Sequence, residues 1–321
     1  MFSLIFTDSY GNVIASDVIN KNIDDGNINS FLSSIYSGIY NQDSIYRNKI
    51  SYVESNYQKL DKSPNVFNLV VSDFNGFNKK ILLKSPLPIT SINISNDNNG
   101  IVYTTFEKVR PSIVYQNIKT GKRDFIANFK GINSMPKFNR SNDKIIMALS
   151  KESTSDIYVY SIADKKTTMI TNDNSDNISP IFLDNDNILY ISSKDGIHRI
   201  IKKNLITNKV IKIKSKINYI SSPTLKDSNH IVAVIKDKIG YSIAEINIIN
   251  GSYRIIKRDA YAESPSISSD MKILYSTKDF DKNIIKLIDF NGDELITIRS
   301  GYKNLKSPII SNGDVKWVST N

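Results

Sequence analysis

A chain of 321 residues without a cysteine can bury a large core, but it cannot build disulfides, thiolate metal sites or a cysteine nucleophile. Its formal charge of +10 arises from 42 basic and 32 acidic residues, and only eight of the bases are arginine. The lysines are spread over strand and turn positions without interleaved aromatics, as at Lys202, Lys203, Lys209, Lys212, Lys214 and Lys216; this predicts a solvated basic surface and no nucleic-acid partner. No apolar run approaches a membrane-spanning length, so no direct membrane insertion is expected.

The first 44 residues stand apart from the rest. Residues 2–6 and 13–16 read as strands around a turn at Tyr10-Gly11-Asn12. Ile28, Phe31, Leu32, Ile35 and Ile39 then fall at i, i+3, i+4, i+7 and i+11, the apolar face of one helix, with Asp25 or Asn27 as its cap. Two strands and a helix bury too little to fold alone, so residues 1–44 should dock on the remainder of the chain or be the remnant of an α/β domain. The start has no Lys or Arg before its short apolar run, and Asp8 interrupts that run, so it does not read as a signal peptide.

From residue 45 to 321 one pattern returns. In residues 132–180 a segment opened by Pro136 is followed by three strand-like runs at 145–149, 156–160 and 167–170, each bounded by turn residues, as in one four-stranded antiparallel sheet. Prolines recur in phase at 136, 180, 223, 265 and 308, in steps of 44, 43, 42 and 43, and Ile92 holds the equivalent place one unit earlier. A second landmark keeps the same phase: the second residue of the hairpin between third and fourth strands falls 27 to 29 residues after each opener, at Thr120-Gly121, Asp164-Lys165, Thr207-Asn208, Asn250-Gly251 and Asn291-Gly292. Type I′ turns are expected there. A period near 43 with four strands per unit signifies propeller blades.

Five full units begin at Ile92, Pro136, Pro180, Pro223 and Pro265. Three runs without an opener precede them, at 49–53, 68–72 and 79–83, and one opener without a blade comes after them, Ser307-Pro308-Ile309-Ile310. The two fragments complete each other, which predicts an all-β fold: a six-bladed β-propeller closed by strands from both ends, leaving no open sheet stack. The second strands (101–106, 145–149, 188–191, 231–235 and 273–275) are apolar on both faces, as strands between neighbouring blades must be.

Catalytic signals are weak. His198 falls in a third strand and His230 opens a second, neither near a serine or carboxylate constellation, and no G-x-S-x-G elbow exists. Asp184-Asn185-Asp186-Asn187 and residues 173–177 superficially resemble calcium loops, but they lack the glycine and the later bidentate glutamate and fall where a blade needs a turn. The alternative enzyme reading is a propeller hydrolase or lactonase with a metal at the channel mouth. It would need inward carboxylates, and Glu263 is the only acid beside an opener. A generic scaffold propeller is the third possibility. No catalytic residue, metal or cofactor is expected.

Several loop segments carry more than blade geometry requires. Val71-Ser72-Asp73-Phe74-Asn75-Gly76-Phe77-Asn78, Tyr103-Thr104-Thr105-Phe106-Glu107, residues 127–136 (ANFKGINSMP), Leu149-Ser150-Lys151 and Asp156-Ile157-Tyr158-Val159 together resemble the TolB family, the periplasmic propeller proteins of the Tol-Pal system. The likeness spans residues 45–317, and residues 2–40 are similar to the last strands and helix of the α/β domain that precedes the propeller in that family. The chain departs from the family in lacking the earlier half of that domain and a secretion signal, which implies a start upstream or an eroded gene. The S-P-D-G hairpins of the family have become Ser141-Asn142-Asp143-Lys144, Asp184-Asn185-Asp186-Asn187 and Ser268-Ser269-Asp270-Met271, and its Asn-Gly-x-Pro loop is here Asn133-Ser134-Met135-Pro136.

The resemblance implies a non-enzymatic periplasmic protein that docks the peptidoglycan-associated lipoprotein Pal on the propeller mouth. It also implies a part in outer-membrane integrity, envelope constriction during division and protein import, with room for other outer-membrane proteins as partners. The TolA partner would be engaged through an N-terminus that no residue here matches. By motif, the Pal-docking positions carry over to Ile132, Asn133, Ser134 and Met135 in one inter-blade loop and to Asn177, Ile178 and Ser179 in the next. Exposed apolar groups beside short amides and hydroxyls at a concave mouth suit a contact centre with adaptable hydrogen bonds.

Overall fold

The computed structural model describes residues 2–19, 25–40, 48–56, 65–108, 110–150, 154–194, 196–301 and 303–311. At the front, β1 (Phe2–Thr7) and β2 (Val13–Ile19) pair antiparallel. The turn between them is held by Asp8, whose Oδ1 accepts the Tyr10 and Asn12 backbone N–H groups at 2.8 and 2.9 Å. Helix α1 (Asp25–Tyr40) packs against β2. The helix includes both residues expected to cap it, Asp25 and Asn27, whose side chains lie outside the described residues, as does the residue before Asp25.

All remaining strands belong to six four-stranded antiparallel sheets. β3 (Lys49–Ser55), β4 (Phe67–Asp73) and β5 (Lys80–Ser85) form three strands of the first blade. The second blade is β6 (Ile89–Ile94), β7 (Gly100–Thr105), β8 (Ser112–Asn117) and β9 (Arg123–Ala127). The third is β10 (Asn133–Phe138), β11 (Lys144–Ser150), β12 (Ser155–Ser161) and β13 (Lys166–Met169). The fourth is β14 (Asp176–Phe182), β15 (Asn187–Lys194), β16 (Ile197–Asn204) and β17 (Val210–Ile213). β18 (Tyr219–Leu225), β19 (His230–Lys236), β20 (Tyr241–Asn247) and β21 (Tyr253–Arg258) form the fifth. β22 (Glu263–Ile267), β23 (Ile273–Asp279), β24 (Lys282–Ile288) and β25 (Glu294–Ile298) form the sixth. Finally β26 (Asn304–Ser311) returns to β3, with Ile310 opposite Ile50 and Leu305 opposite Glu54, and supplies the missing inner strand of the first blade. The closure from both ends is as the sequence predicts.

The apolar core is divided among the blade interfaces. Because side chains alternate across a strand, β11 sends Ile145, Met147 and Leu149 into a cluster with Val102 and Ile113 of the second blade. It sends Ile146 and Ala148 the other way, to Phe182, Ile188 and Tyr190 of the fourth. The same arrangement joins the first and second blades through Leu69 and Tyr103, and the sixth and first through Leu274 and Tyr52. Every second strand is therefore covered on both faces, which is why its sequence shows no polar face.

Two local features differ from the sequence expectation. The hairpins after the third strands have one positive-φ residue each (Gly121, Lys165, Asn208, Gly251 and Gly292), not the two that a type I′ turn requires. A side chain at the end of the third strand makes the longer loop possible. Asn117 Oδ1 accepts the Thr120 N–H at 2.9 Å, Asn204 Oδ1 that of Thr207 at 2.7 Å, and Asp289 Oδ1 that of Asn291 at 2.8 Å. Such Asx bonds stabilise a turn whose last residue alone goes left-handed. The opening prolines also do not begin their strands. Each lies inside a first strand, at a break in the pairing register.

Candidate functional site at the propeller axis

The breaks in register create the axial site. In all six first strands the residue before the opener has positive φ: Ser91 (52°), Met135 (55°), Ser179 (51°), Ser222 (50°), Ser264 (51°) and Ser307 (51°). A bulge at this point bends each inner strand and re-aims its side chains, here toward the propeller axis. The six residues and their openers line a cavity of about 200 Å³. Asn93, Lys137, Thr224, Ser266 and Ile309, which come directly after openers, complete its wall.

Neighbouring blades are tied together around this ring. The Phe138 N–H donates to Asn93 Oδ1 at 2.9 Å, the Ile310 N–H to Ser266 Oγ at 3.1 Å, and both the N–H and the hydroxyl of Ser179 approach the Met135 sulfur at 3.3 Å. Lys137 reaches further. Its Nζ donates to the Pro223 carbonyl at 3.1 Å, from the third blade to the fifth. Lys137 is the one charged side chain among the residues lining the cavity, and burial pushes its ammonium down to about 8.

The seven residues expected to form a docking surface fall into three kinds of place. Ile132 is 54% exposed immediately before β10, while Ser134 and Met135 are half-buried within it. Asn133 and Asn177 are fully buried, which departs from their expected place on the surface. Asn133 Nδ2 donates to the carbonyls of Phe129 and Gly131 at 2.9 and 3.1 Å, and its Oδ1 accepts the Phe129 N–H, so this side chain braces the inter-blade loop from within. Asn177 Nδ2 likewise donates to Asp173 at 2.8 Å. Ile178 packs against the cluster between the fourth and fifth blades, and Ser179, only 4% exposed, lines the cavity. The polar amides read as loop residues because sequence does not distinguish an amide that faces water from one that replaces a strand's missing partners.

Sequence reasoning misses Lys137 and the serine ring, although a signal is present: Ser179-Pro180, Ser222-Pro223, Ser264-Pro265 and Ser307-Pro308 repeat the same dipeptide at the same phase.

The residues suggestive of catalysis have structural duties. His198 Nδ1 lies 2.7 Å from the Ile220 carbonyl, and its ring stacks on Tyr219 with centroids 4.7 Å apart. His230 Nδ1 lies 2.9 Å from Asp227 Oδ1 in a surface hairpin. Asp184 uses its carboxylate to accept the Asp186 and Asn187 N–H groups, both at 2.8 Å. No Asp or Glu lines the cavity, Glu263 being exposed, and among the described residues no group of three or more His, Cys, Asp or Glu is placed to hold a metal. The donor set that a metal-dependent propeller hydrolase needs does not fit this axis.

Known proteins resemble this chain in architecture and in sequence. The chain is 28% identical over 279 residues to the Tol-Pal system protein TolB of Francisella tularensis subsp. holarctica, covering 83% of this chain and 63% of that protein. A segment of 100 residues, 31% of the chain, is 34% identical to the protein of the same name from Nitrosomonas europaea. The crystal structure of TolB from Acinetobacter baumannii superposes with a TM-score of 0.82 at 21% identity, over 94% of this chain and 77% of that one, a likeness of fold. The chain thus spans less than two thirds of the length of the Francisella relative. The TolB beta propeller domain family matches residues 36–312, from the end of α1 through every strand of the propeller, and the chain belongs to that family.

Proposed function

We propose that this protein is a non-enzymatic component of a Tol-Pal system that works in the periplasm by docking the peptidoglycan-associated lipoprotein Pal at the propeller mouth. Membership of the TolB propeller family is the observation that carries the reading. The first strand of the third blade supports it: an exposed aliphatic side chain, Ile132, stands just ahead of the half-buried Ser134 and Met135, and Met135 lines the axial cavity. A few apolar anchors ringed by adaptable polar groups are what a protein contact uses. Ile132, Ser134 and Met135 are assigned direct contact. Asn133, Asn177, Ile178 and Ser179 are assigned the work of holding those three in place.

On the same reading β1, β2 and α1 correspond to part of the α/β domain that precedes the propeller in the family, and TolA is the second partner. The roles in outer-membrane integrity and envelope constriction come from the two partnerships together.

Calorimetric titration of the purified chain with the periplasmic domain of Pal from the same genome tests the proposal, in parallel with Ile132→Arg. Saturable binding lost in the variant is expected, because an unpaired charge at the centre of a contact costs about 2–5 kcal/mol. No binding by a chain that circular dichroism shows to be folded would overturn it.

A further inference from the structure

We propose that the axial cavity is a binding site for a small oxyanion, either a carboxylate or an inorganic oxyacid, held by the ammonium of Lys137 and by serine hydroxyls of the surrounding bulges. Lysine carries three N–H donors. Among the described residues only the Pro223 carbonyl receives one of them, at 3.1 Å. No acidic side chain lines the cavity, so this ammonium is drawn out of bulk water without a counter-charge. Such a charge is stabilised by an anionic partner. Lowered to about 8 by burial, Lys137 still keeps its proton at neutral pH, so an anion entering the cavity meets a charged partner with donors to spare.

The rest of the wall suits the same ligand. Ser91, Ser222, Ser264 and Ser307 line the cavity, half-buried, and their hydroxyls have no hydrogen-bond partner among the described residues. A ring of serines with free hydroxyls in the same cavity as one cation is the complement of an oxyanion. A cation would meet Lys137 as a like charge, and an apolar ligand would leave the ammonium and hydroxyls unsatisfied. The volume of about 200 Å³ admits an anion of a few heavy atoms or several waters. The inference is independent of any partner at the mouth.

Thermal unfolding tests it, with sodium malonate, sodium sulfate and sodium chloride at matched ionic strength, at pH 6.5 and pH 9.5, for the unmodified chain, Lys137→Arg and Lys137→Met. A ligand bound only by the folded state raises Tm. The expected result is a rise of several degrees over chloride at the lower pH for the unmodified chain and Lys137→Arg, shrinking at the higher pH in the unmodified chain but not in Lys137→Arg, whose guanidinium stays charged, and lost in Lys137→Met. Whether malonate or sulfate gives the larger rise names the oxyanion class. Equal rises in the unmodified chain and Lys137→Met, or no rise in the unmodified chain at pH 6.5, would overturn the proposal. Should Lys137→Met not fold, carbon NMR of the unmodified chain decides. The lysine Cε signal missing from the Lys137→Arg spectrum must move on adding the anion, and a stationary signal refutes the site.

Discussion

Lys303 Nζ lies 2.6 Å from Oε1 of Glu54, a contact between residues 249 apart in the chain that fastens the approach to β26 onto β3. The Ser300 hydroxyl donates to the other oxygen, also at 2.6 Å, and Glu54 is only 4% exposed. Burial alone would raise this carboxyl, but the hydrogen bonds from Lys303 and Ser300 outweigh it and hold the group below the ordinary glutamate range. Lys303→Met removes the nearer of the two ammonium groups beside this buried carboxylate, leaving Lys79 at 3.6 Å, and chemical denaturation should show a loss of about 1–3 kcal/mol. A depressed carboxyl stabilises the fold fully above its unfolded value of about 4.3 and loses that contribution as pH falls through the lower folded value. Glu54→Gln should therefore flatten the acid limb of the stability curve between those two values.

Two glycines with similar backbone angles should respond differently to one added methyl. Gly251 has φ of 76°, and a Cβ there would stand 1.8 Å from the Lys214 carbonyl oxygen of the preceding blade. Gly196 has φ of 74° and open space around it. Gly196→Ala should cost only the conformational term of about 1 kcal/mol. Gly251→Ala must also displace backbone, and urea denaturation should show a loss of at least about 2–3 kcal/mol.

The bulge before each opener predicts a size and branching preference at the serine ring. Ser264 sits at φ 51°. Ser264→Val places a β-branched side chain where it is least tolerated and should cost about 1–3 kcal/mol, whereas Ser264→Gly should stay within about 1 kcal/mol of the parent. Equal losses in the two variants, measured by thermal and urea unfolding, would mean that the bulge is not constrained by its backbone angle.

Lys137 should burden stability at neutral pH in anion-poor buffer. Its ammonium is lowered from 10.5 to about 8 by burial, so the folded chain binds fewer protons than the unfolded chain between those values. Stability contributed by this group therefore rises as pH increases from about 8 to about 10.5. Burial also raises Tyr52, Tyr103 and Tyr190, each to about 12, which works against the fold once the unfolded tyrosines ionise above about 10. The comparison with Lys137→Met isolates the lysine. In anion-poor buffer the variant should be more stable by about 1–3 kcal/mol below pH 8, with the advantage fading toward pH 10.

The architecture is legible because it is written redundantly. Pro136, Pro180, Pro223, Pro265 and Pro308 give one phase, the hairpins near Gly121 and Gly251 give another, and the unpaired opener at Pro308 matches the blade that lacks one. Features decided by backbone angle are not legible. Prolines usually mark strand ends, so the sequence predicts a strand that begins at Pro136, yet a positive φ at Met135 lets it start at Asn133 and continue through the proline. Of the expected docking residues, Ile132 is exposed, whereas the side chain of Asn133 is buried and bonds within its own loop. Lys137 reads like any other strand lysine, since sequence carries no mark for a side chain that turns to the axis.

The placement of β26 also imposes an order in time. During synthesis β3, β4 and β5 leave the ribosome more than two hundred residues ahead of the strand that covers Ile50 and Tyr52. Until then the first blade has an uncovered inner edge, and the apolar cluster it shares with the sixth blade cannot form. Contacts so distant along the chain are slow to close, and a half-made ring exposes sticky surface while it waits. The step that completes this fold is therefore its most non-local one, and the nascent protein is most in need of a chaperone just before its final blade is stitched shut.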